Sequence, residues 1–526
     1  MLNGCINLKE DFILVKLFND TFDINEIIDS NSTEVLLESE FAITDNMPDI
    51  ERIITTEGKT EINNVSVNTD SVTVNGKLIY NMLYYSNDED YSIYSMSGEI
   101  PFSEEIEAPG VTEDMEAFSK ALIDYIDVEQ LTERSFLIKA VLILDTDTYL
   151  KRPVTYVSYL ESDGSIQAKT KNVLFTDTLA EVSEEVNIND AVEVSRSSGE
   201  IATILKSESD VYITNIDTLN EKVLVEGICK VGFIYIEDND NHVTGYVTEE
   251  FPFTHYLELK DSDDGLREIN VTVKEMTYST TENFDDEKKL IEFELPLKID
   301  AALYSSTERN IITDCYSTDY QLELTSETIN LSSLENLTNN IIKFEDSFEI
   351  LTGTIRDIYS VEASPKISDK RIADDKYIID GYLDVNMLYL NGEMNQIDKA
   401  FASLPFTADF PIDEEETSNQ IHSDIKINKC NAYRKGSNSV NFNCDINVSL
   451  KFKNNNEVSV IKDIVERDPI DRNKMPSLVF RVVQPGESLW DIAKNYNLSI
   501  NSLKELNEIP EDNLLTPGTK IIIARS

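Results

Sequence analysis

The stretch VNGKLIYNMLYY (residues 74–85) is apolar at every second position after its glycine, and two further stretches repeat this pattern. They are VEGICKVGFIYI (225–236) and IDGYLDVNMLYL (379–390), and the three copies align on Gly76, Gly227 and Gly381. A period of two places the apolar residues on one face of a β-strand, so each stretch predicts a strand with one face in a core. The glycine has no side chain to pack, which indicates a bulge or the close approach of another backbone.

The similarity between the copies extends beyond this strand. A Pro-Phe pair follows the glycine by 25, 25 and 24 residues, at Pro101-Phe102, Pro252-Phe253 and Pro405-Phe406. The glycines are 151 and 154 residues apart, which is too long for a solenoid repeat or a propeller blade. We therefore predict a mostly β chain with three tandem β-sandwich-like repeat domains, followed by a small βααβ domain.

The predicted boundaries follow from these repeats and from one change in composition. The first repeat, with an N-terminal extension, covers residues 1–165, the second 166–328 and the third 329–466. Residues 467–478 belong to a charged segment with two prolines, which predicts a linker, and residues 479–526 form the last domain.

The charge of the chain is strongly negative and unevenly spread. The 526 residues include 45 basic and 99 acidic ones, for a net charge of −54. Such a chain repels phosphate backbones and anionic lipid head groups, so we expect no nucleic-acid partner and no direct membrane insertion. Residues 479–526 hold five basic and six acidic residues and are close to neutral. The acidic remainder serves solubility or steers the chain toward a basic partner.

Cysteine usage predicts a reducing compartment. The chain has five cysteines, an odd number, and no two of them have C-x-x-C spacing. A Cys430–Cys444 pair across a hairpin is possible, but it requires an oxidising setting. The N-terminus has charges at Lys9, Glu10 and Asp11 and does not resemble a signal peptide. No stretch approaches 18 apolar residues, so we expect a protein that stays inside the cell.

The pattern turns helical only near the end of the chain. VFRVV (479–483) predicts a strand and QPGE a turn, and Ser488 with Asp491 predicts a capping box. One helical face then carries Leu489, Ile492, Ala493 and Tyr496. A second helix is expected from about Ser499 to Asn507, with Ile500, Leu503 and Leu506 facing inward. A Pro517-Gly518 turn leads to a closing strand.

This last segment resembles the LysM domain. The match is carried by Val482, Gly486, Ser488, Leu489, Trp490, Ile492, Ala493, Tyr496, Leu503, Asn507, Leu515, Gly518 and Ile522. LysM domains commonly bind N-acetylglucosamine polymers in a groove between two loops. The resemblance implies a partner- or glycan-binding site at Pro485, Gly486, Glu487, Ser488, Leu489, Trp490, Asn513, Leu514, Leu515, Thr516 and Pro517. For Trp490, sugar stacking and core packing are both possible.

Three such repeats followed by one LysM domain resemble the SipL-like spore coat morphogenetic proteins of endospore-forming bacteria, whose repeats are of the SPOCS (DUF3794) type. The resemblance implies a non-enzymatic adaptor without a cofactor. It places the chain in the mother-cell cytoplasm, at the forespore outer surface and in the spore coat. It also implies a SpoIVA-type coat morphogenetic ATPase as partner, bound largely through the LysM domain, together with other coat proteins. A cytoplasmic protein does not meet mature peptidoglycan, so we expect the LysM domain to bind protein.

Catalytic motifs are missing from the sequence. The three histidines, His242, His255 and His422, form no metal-ligand pair, and neither G-x-S-x-G nor a P-loop occurs. The acidic segments EDNDN (237–241) and DSDDG (261–265) fail the EF-hand spacing and predict solvated turns, so we expect no metal site. Two alternatives stay open: a protein that binds peptidoglycan or N-acetylglucosamine through LysM, and a cell-wall hydrolase.

Overall fold

The computed structural model describes residues 15–87, 92–162, 164–219, 222–239, 243–259, 265–351, 353–413, 420–471, 477–510 and 515–524. Predicted site residues Asn513 and Leu514, together with His242, lie outside the described residues.

The first repeat is a sandwich of two antiparallel three-stranded sheets. Its strands are β1 (Val15–Ala42), β2 (Ile50–Asn68), β3 (Ser71–Ser86), β4 (Ile93–Glu107), β5 (Glu116–Thr132) and β6 (Ser135–Ser162). One sheet has the order β2-β3-β4 and the other the order β1-β6-β5. Alternate residues of both central strands, among them Tyr80 and Phe136, fill the space between the sheets.

The second and third repeats have the same design. The strands of the second are β7 (Ile166–Glu193), β8 (Ile201–Leu219), β9 (Lys222–Glu237), β10 (Thr244–Glu258), β11 (Leu266–Val273), β12 (Thr277–Thr281) and β13 (Leu290–Ser317). Those of the third are β14 (Tyr320–Glu349), β15 (Ile355–Ala373), β16 (Lys376–Asn391), β17 (Gln396–Pro411), β18 (Gln420–Arg434) and β19 (Ser439–Pro469). The predicted fold class is confirmed. The predicted boundary between residues 328 and 329 falls within β14.

The glycine and the Pro-Phe pair of the sequence pattern are neighbours on paired strands. Gly76 lies directly opposite Phe102, and the other two repeats pair their glycine and phenylalanine in the same way. The register between β2 and β3 shifts between Ile62 and Asn64, next to the glycine. A Cβ atom on Gly76 would lie 2.5 Å from the carbonyl oxygen of Glu61 and from the phenylalanine ring. Bulge and close approach, the two reasons expected for a glycine here, therefore occur together.

One proline explains why the second repeat has an additional strand. Pro296 lies in β13 where the first repeat has Val141. It has no backbone N–H, so it cannot donate a hydrogen bond to a carbonyl oxygen of the neighbouring strand. The strand beside it is broken at this level: β11 ends at Val273 and β12 begins at Thr277, whereas β5 and β18 run without a break. The backbone N–H of Lys274 still reaches the carbonyl oxygen of Pro296 at 2.9 Å.

The three repeats pack in a closed ring around a pseudo-threefold axis. β4 contacts β8, β10 contacts β15, and β17 contacts β2, so each repeat touches both others through equivalent strands. A buried apolar cluster takes residues from all three: Ile54, Leu83, Tyr85, Ile93, Leu205, Ile234, Ile236, Tyr359, Leu388, Leu390 and Ile397. The long strands form a second shared cluster with Phe22, Ile24, Val154, Tyr156, Val173, Phe175, Ile311, Ile329, Leu331, Val458 and Val460. The body is therefore one packed unit of three sandwiches.

A single lysine lies among three equivalent glutamates of this ring. Glu57, Glu208 and Glu362 each precede the glycine of their repeat by 19 residues. The side chain of Lys206 is 5% exposed, and its Nζ lies 2.6, 2.6 and 3.2 Å from oxygens of these three carboxylates. The first and third repeats have Thr55 and Ser360 at the lysine position. The lysine thus joins all three repeats.

The C-terminal domain has the predicted βααβ order. Its elements are β20 (Leu478–Val482), α1 (Leu489–Asn495), α2 (Ile500–Asn507) and β21 (Lys520–Ala524). Ser488 forms the expected capping box with Asp491. The inward position predicted for Leu506 is wrong: its side chain is exposed, because α2 packs through Leu503.

Candidate functional site

The two loops predicted to form the LysM groove lie at one end of its two-stranded sheet. The backbone N–H of Val483 donates to Thr519 at 2.9 Å, and that of Gly518 donates back to Val483 at 2.9 Å. Pro485, Gly486, Ser488, Thr516 and Pro517 are exposed, and Leu515 is partly buried, whereas Leu489 is buried in the domain core. The structure therefore brings together the described part of the predicted groove, apart from Leu489 and Trp490.

Glu487 stabilises the first of these loops. It accepts a hydrogen bond from the backbone N–H of Gln484 at 3.0 Å and pairs with Arg481. These two contacts hold the pKa of its carboxyl below the usual range. Gly486 has a φ of 83°, a left-handed conformation that suits glycine. The carboxylate of Glu487 thus stabilises the turn through a hydrogen bond and an ion pair.

Trp490 faces the second repeat and not the loop cleft. Its side chain is 8% exposed, and its indole N–H donates to a carboxylate oxygen of Asp314 at 2.8 Å. Its ring meets that of Tyr316 edge to face, with centroids 5.1 Å apart. Trp490 is therefore packed between the LysM core and the end of β13, and it has no free face for a sugar.

Three further polar contacts hold the LysM domain on the second repeat. Lys494 donates from Nζ to both carboxylate oxygens of Asp314, at 2.6 and 2.8 Å. The hydroxyl of Tyr316 donates to the carbonyl oxygen of Leu498 at 2.7 Å, and burial raises the pKa of that phenol. The side-chain amide of Asn497 donates to the carbonyl oxygen of Ser317 at 3.1 Å. We call this set of contacts the LysM dock.

The LysM dock is specific to one repeat. Ile312, Val157 and Ile461 belong to one apolar cluster formed by the ends of the long strands. Tyr316 comes four residues after Ile312. The residues four positions after Val157 and Ile461 are Glu161 and Val465. A glutamate or a valine cannot make the edge-to-face contact and the hydroxyl hydrogen bond that the tyrosine makes.

The outer face of the LysM sheet is apolar and open. Leu478, Phe480 and Val482 project from β20 on the side away from the domain core, and Phe480 is 69% exposed. Phe480 lies opposite Ile522 of β21. We call these four residues the LysM sheet face. The groove prediction did not include them. The signal was in the sequence: Leu478, Phe480 and Val482 are apolar at alternate positions, and they lie on the face opposite Val479 and Val483, which pack in the domain core.

The cysteines and histidines form no reactive centre among the described residues. Cys430 and Cys444 lie directly opposite each other on β18 and β19, and both thiols are free. A hydrogen bond to Cys444, followed by burial, raises the pKa of Cys430. Nε2 of His255 lies 2.7 Å from Glu184. Within the described part of the chain, no three histidine, cysteine or acidic side chains cluster as metal ligands.

Comparison with protein families identifies these units. The SipL, SPOCS domain model matches residues 49–131, 200–281 and 354–435, and the LysM domain model matches residues 482–524. The chain belongs to the SipL family. Each SPOCS match begins at the start of β2, β8 or β15 and ends at or near the end of β5, β12 or β18. In this SipL-family chain the long strands β1, β6, β7, β13, β14 and β19 lie outside the matches.

A curated relative matches a short, LysM-sized segment of this SipL-family chain. It is the "Probable autolysin SsaALP" of Staphylococcus aureus (strain NCTC 8325 / PS 47), 48% identical over 44 residues, which is 8% of the chain and 16% of that protein. No solved structure matches the chain. The described helices include none with the length and apolar character needed to span a bilayer. SPOCS and LysM domains together connect the chain with the spore coat and with LysM-type binding.

Proposed function

We propose that this chain is a non-enzymatic adaptor of spore coat assembly. Its LysM domain binds a SpoIVA-type coat ATPase in the mother-cell cytoplasm, at the forespore outer surface, and the chain thereby promotes coat localisation and encasement. The observation that carries this proposal is the exposed LysM sheet face on a near-neutral domain attached to a strongly acidic body. The LysM dock occupies the α1 side of the domain, so the sheet face is free for a second protein.

Apolar burial favours the sheet face as the contact with the ATPase. Interfaces derive most of their affinity from a few central side chains, among which aromatic ones are prominent. Phe480 is the largest exposed apolar side chain among the described residues of the domain, and full burial of such a side chain contributes about 1.5–3 kcal/mol. The exposed loop residues Pro485, Thr516 and Pro517 have smaller side chains than Phe480, and none of them is aromatic.

Glycan binding through the loops is the second candidate. It is supported by the exposed loops at one end of the sheet and by the 48% identity to the LysM-sized segment of the probable autolysin. That similarity covers 44 residues, about the length of one LysM domain, so it supports binding and gives no support to wall hydrolysis by this chain.

A crossed experiment separates the two candidates. The full chain and two variants, Phe480→Ser and Pro485→Arg/Thr516→Arg, are tested for capture of the SpoIVA-type ATPase and for binding of N-acetylglucosamine oligomers. We expect Phe480→Ser to weaken ATPase capture at least tenfold and the loop variant to leave it unchanged. Glycan binding that only the loop variant loses, without any ATPase capture by the parent chain, contradicts the proposal. Zymography on wall polymer tests for a hydrolase, and a cleared band would also contradict it.

A further inference from the structure

The three repeats provide an internal comparison of one solvent-facing surface. The central strands β6, β13 and β19 align on residues 134, 289 and 438, whose carbonyl oxygens accept equivalent hydrogen bonds from Ile43, Val194 and Ile350. Residues seven and nine positions later point away from the sandwich core. A fold requirement at these positions would therefore appear in all three repeats.

The first repeat has an apolar cluster on this surface. Val141 pairs with Leu36 on one side and Tyr125 on the other, and Ile143 pairs with Leu122. Leu36 is 65% and Tyr125 is 52% exposed, and Leu122 is also exposed. The cluster thus spans three adjacent strands. We call Leu36, Leu122, Tyr125, Val141 and Ile143 the first-repeat patch.

Apart from Pro296 and Ile341, the other two repeats are polar at the same positions. The second has Pro296 beside Asn187, and Lys298 between Glu185 and Thr272. In the third repeat, the equivalent residues are Asp445 between Lys343 and Lys429, and Asn447 between Ile341 and Lys426. The sandwich therefore folds with polar residues on this surface. A contiguous apolar surface that the fold does not require is typical of an interaction site.

Acidic side chains surround the first-repeat patch. Glu34 lies directly opposite Ile143, and the neighbouring cross-strand rows contain Glu38, Asp127 and Asp145. The two cations of these rows are already paired, since Lys139 contacts Glu129 at 2.8 Å and Lys120 contacts Asp424 at 3.5 Å. The rim is therefore negative around an apolar centre. An anionic lipid surface would be repelled by it.

We propose that the first-repeat patch binds a protein segment that presents apolar side chains next to lysines or arginines. A second copy of this chain does not fit, because two identical acidic rims would face each other on chains that each carry a net charge of −54. Apolar burial at the centre supplies the affinity, and the rim selects basic partners and speeds their association. This inference does not depend on the ligand of the LysM domain.

The test compares substitutions inside and outside the patch that leave the net charge unchanged. Leu36→Ser/Leu122→Ser removes apolar surface and no charge, and Ile341→Ser is the matched control, since Ile341 is an exposed apolar residue among polar neighbours. All chains carry Phe480→Ser, so that binding at the LysM sheet face does not contribute. The probes are three labelled twelve-residue peptides of alternating Leu–Lys, Ser–Lys and Leu–Glu, measured by fluorescence anisotropy.

We expect the patch variant to bind the Leu–Lys peptide at least tenfold more weakly than the control, and the Ser–Lys peptide equally. Circular dichroism and the thermal midpoint verify that both chains are folded. Equal Leu–Lys binding by the two chains would overturn the proposal, as would Leu–Glu binding as tight as Leu–Lys binding. Two further outcomes would also overturn the proposal. If the control dimerises in sedimentation and the patch variant does not, the surface binds a second copy of the chain. If the control floats with phosphatidylglycerol vesicles and the patch variant does not, the surface binds lipid.

Discussion

The indole N–H of Trp490 donates to Asp314 over 2.8 Å, although 176 residues separate the two along the chain. The same carboxylate pairs with Lys494, so one acidic side chain of the second repeat holds two residues of helix α1. The LysM domain is thereby oriented on the three-repeat body with its sheet face outward.

Replacing Asp314 with alanine should release the LysM domain from the body. Hydrogen bonds to charged groups contribute about 1.5–3 kcal/mol each, and the substitution removes those to Trp490 and Lys494. Trp490 is the single tryptophan of the chain, so its emission reports the contact directly. We expect a red shift and stronger acrylamide quenching. Asp463→Ala, at the equivalent position of the third repeat, is the control, and an unchanged spectrum of Asp314→Ala would contradict the dock.

Replacing Lys206 with methionine should destabilise the whole body. The change leaves three glutamates close together without their shared cation, and breaking a buried ion pair costs about 3–5 kcal/mol. The control is Lys222→Met, which removes an exposed pair with Glu258 worth about 0–1 kcal/mol. Urea unfolding followed by circular dichroism measures both. Equal midpoints for the two variants would show that the lysine is dispensable.

The same cluster predicts how stability depends on pH. Burial, followed by repulsion from Glu362, raises the pKa of Glu57 from 4.5 to about 7. The folded state therefore binds more protons than the unfolded state between these values, so this residue's contribution to the free energy of unfolding decreases as the pH rises through that window. We expect Glu57→Gln to flatten the difference in thermal midpoint between pH 5 and pH 7. A difference as steep as that of the parent chain would refute this assignment.

The glycine of each repeat should not tolerate a side chain. Gly76→Ala places a methyl group against the Phe102 ring and the carbonyl oxygen of Glu61, and overpacking of this kind costs about 1–3 kcal/mol. At Gly436 the nearest atom to an added Cβ is 3.6 Å away, so Gly436→Ala should change stability little. Thermal unfolding of the two variants tests the contrast. A Gly76→Ala chain as stable as the control would mean that the Phe102 ring can move aside.

The sequence predicted the strands and helices well, because hydrophobic periodicity and helix capping depend on residues that are close together in the chain. The period of two identified the core face of each central strand, as Leu78 and Tyr80 show, and the capping box located the start of α1. The ring of repeats was not predicted. Its signal was present, since the polar face of the first stretch becomes apolar at Leu83 and Tyr85, which pack in the shared cluster. The LysM dock had no such signal, because Asp314 is one of 99 acidic residues.

The lysine at the ring's axis shows what covalent linkage allows. Three identical chains around a true threefold axis would bring the same residue to the centre three times, so they would have either three lysines there or none. Joined in one polypeptide, the copies supply one lysine, one threonine and one serine at that position. Fusion thus frees each copy to diverge. One copy could acquire the tyrosine that receives the terminal domain, while another acquired an apolar outer surface, without either change being imposed on its sisters.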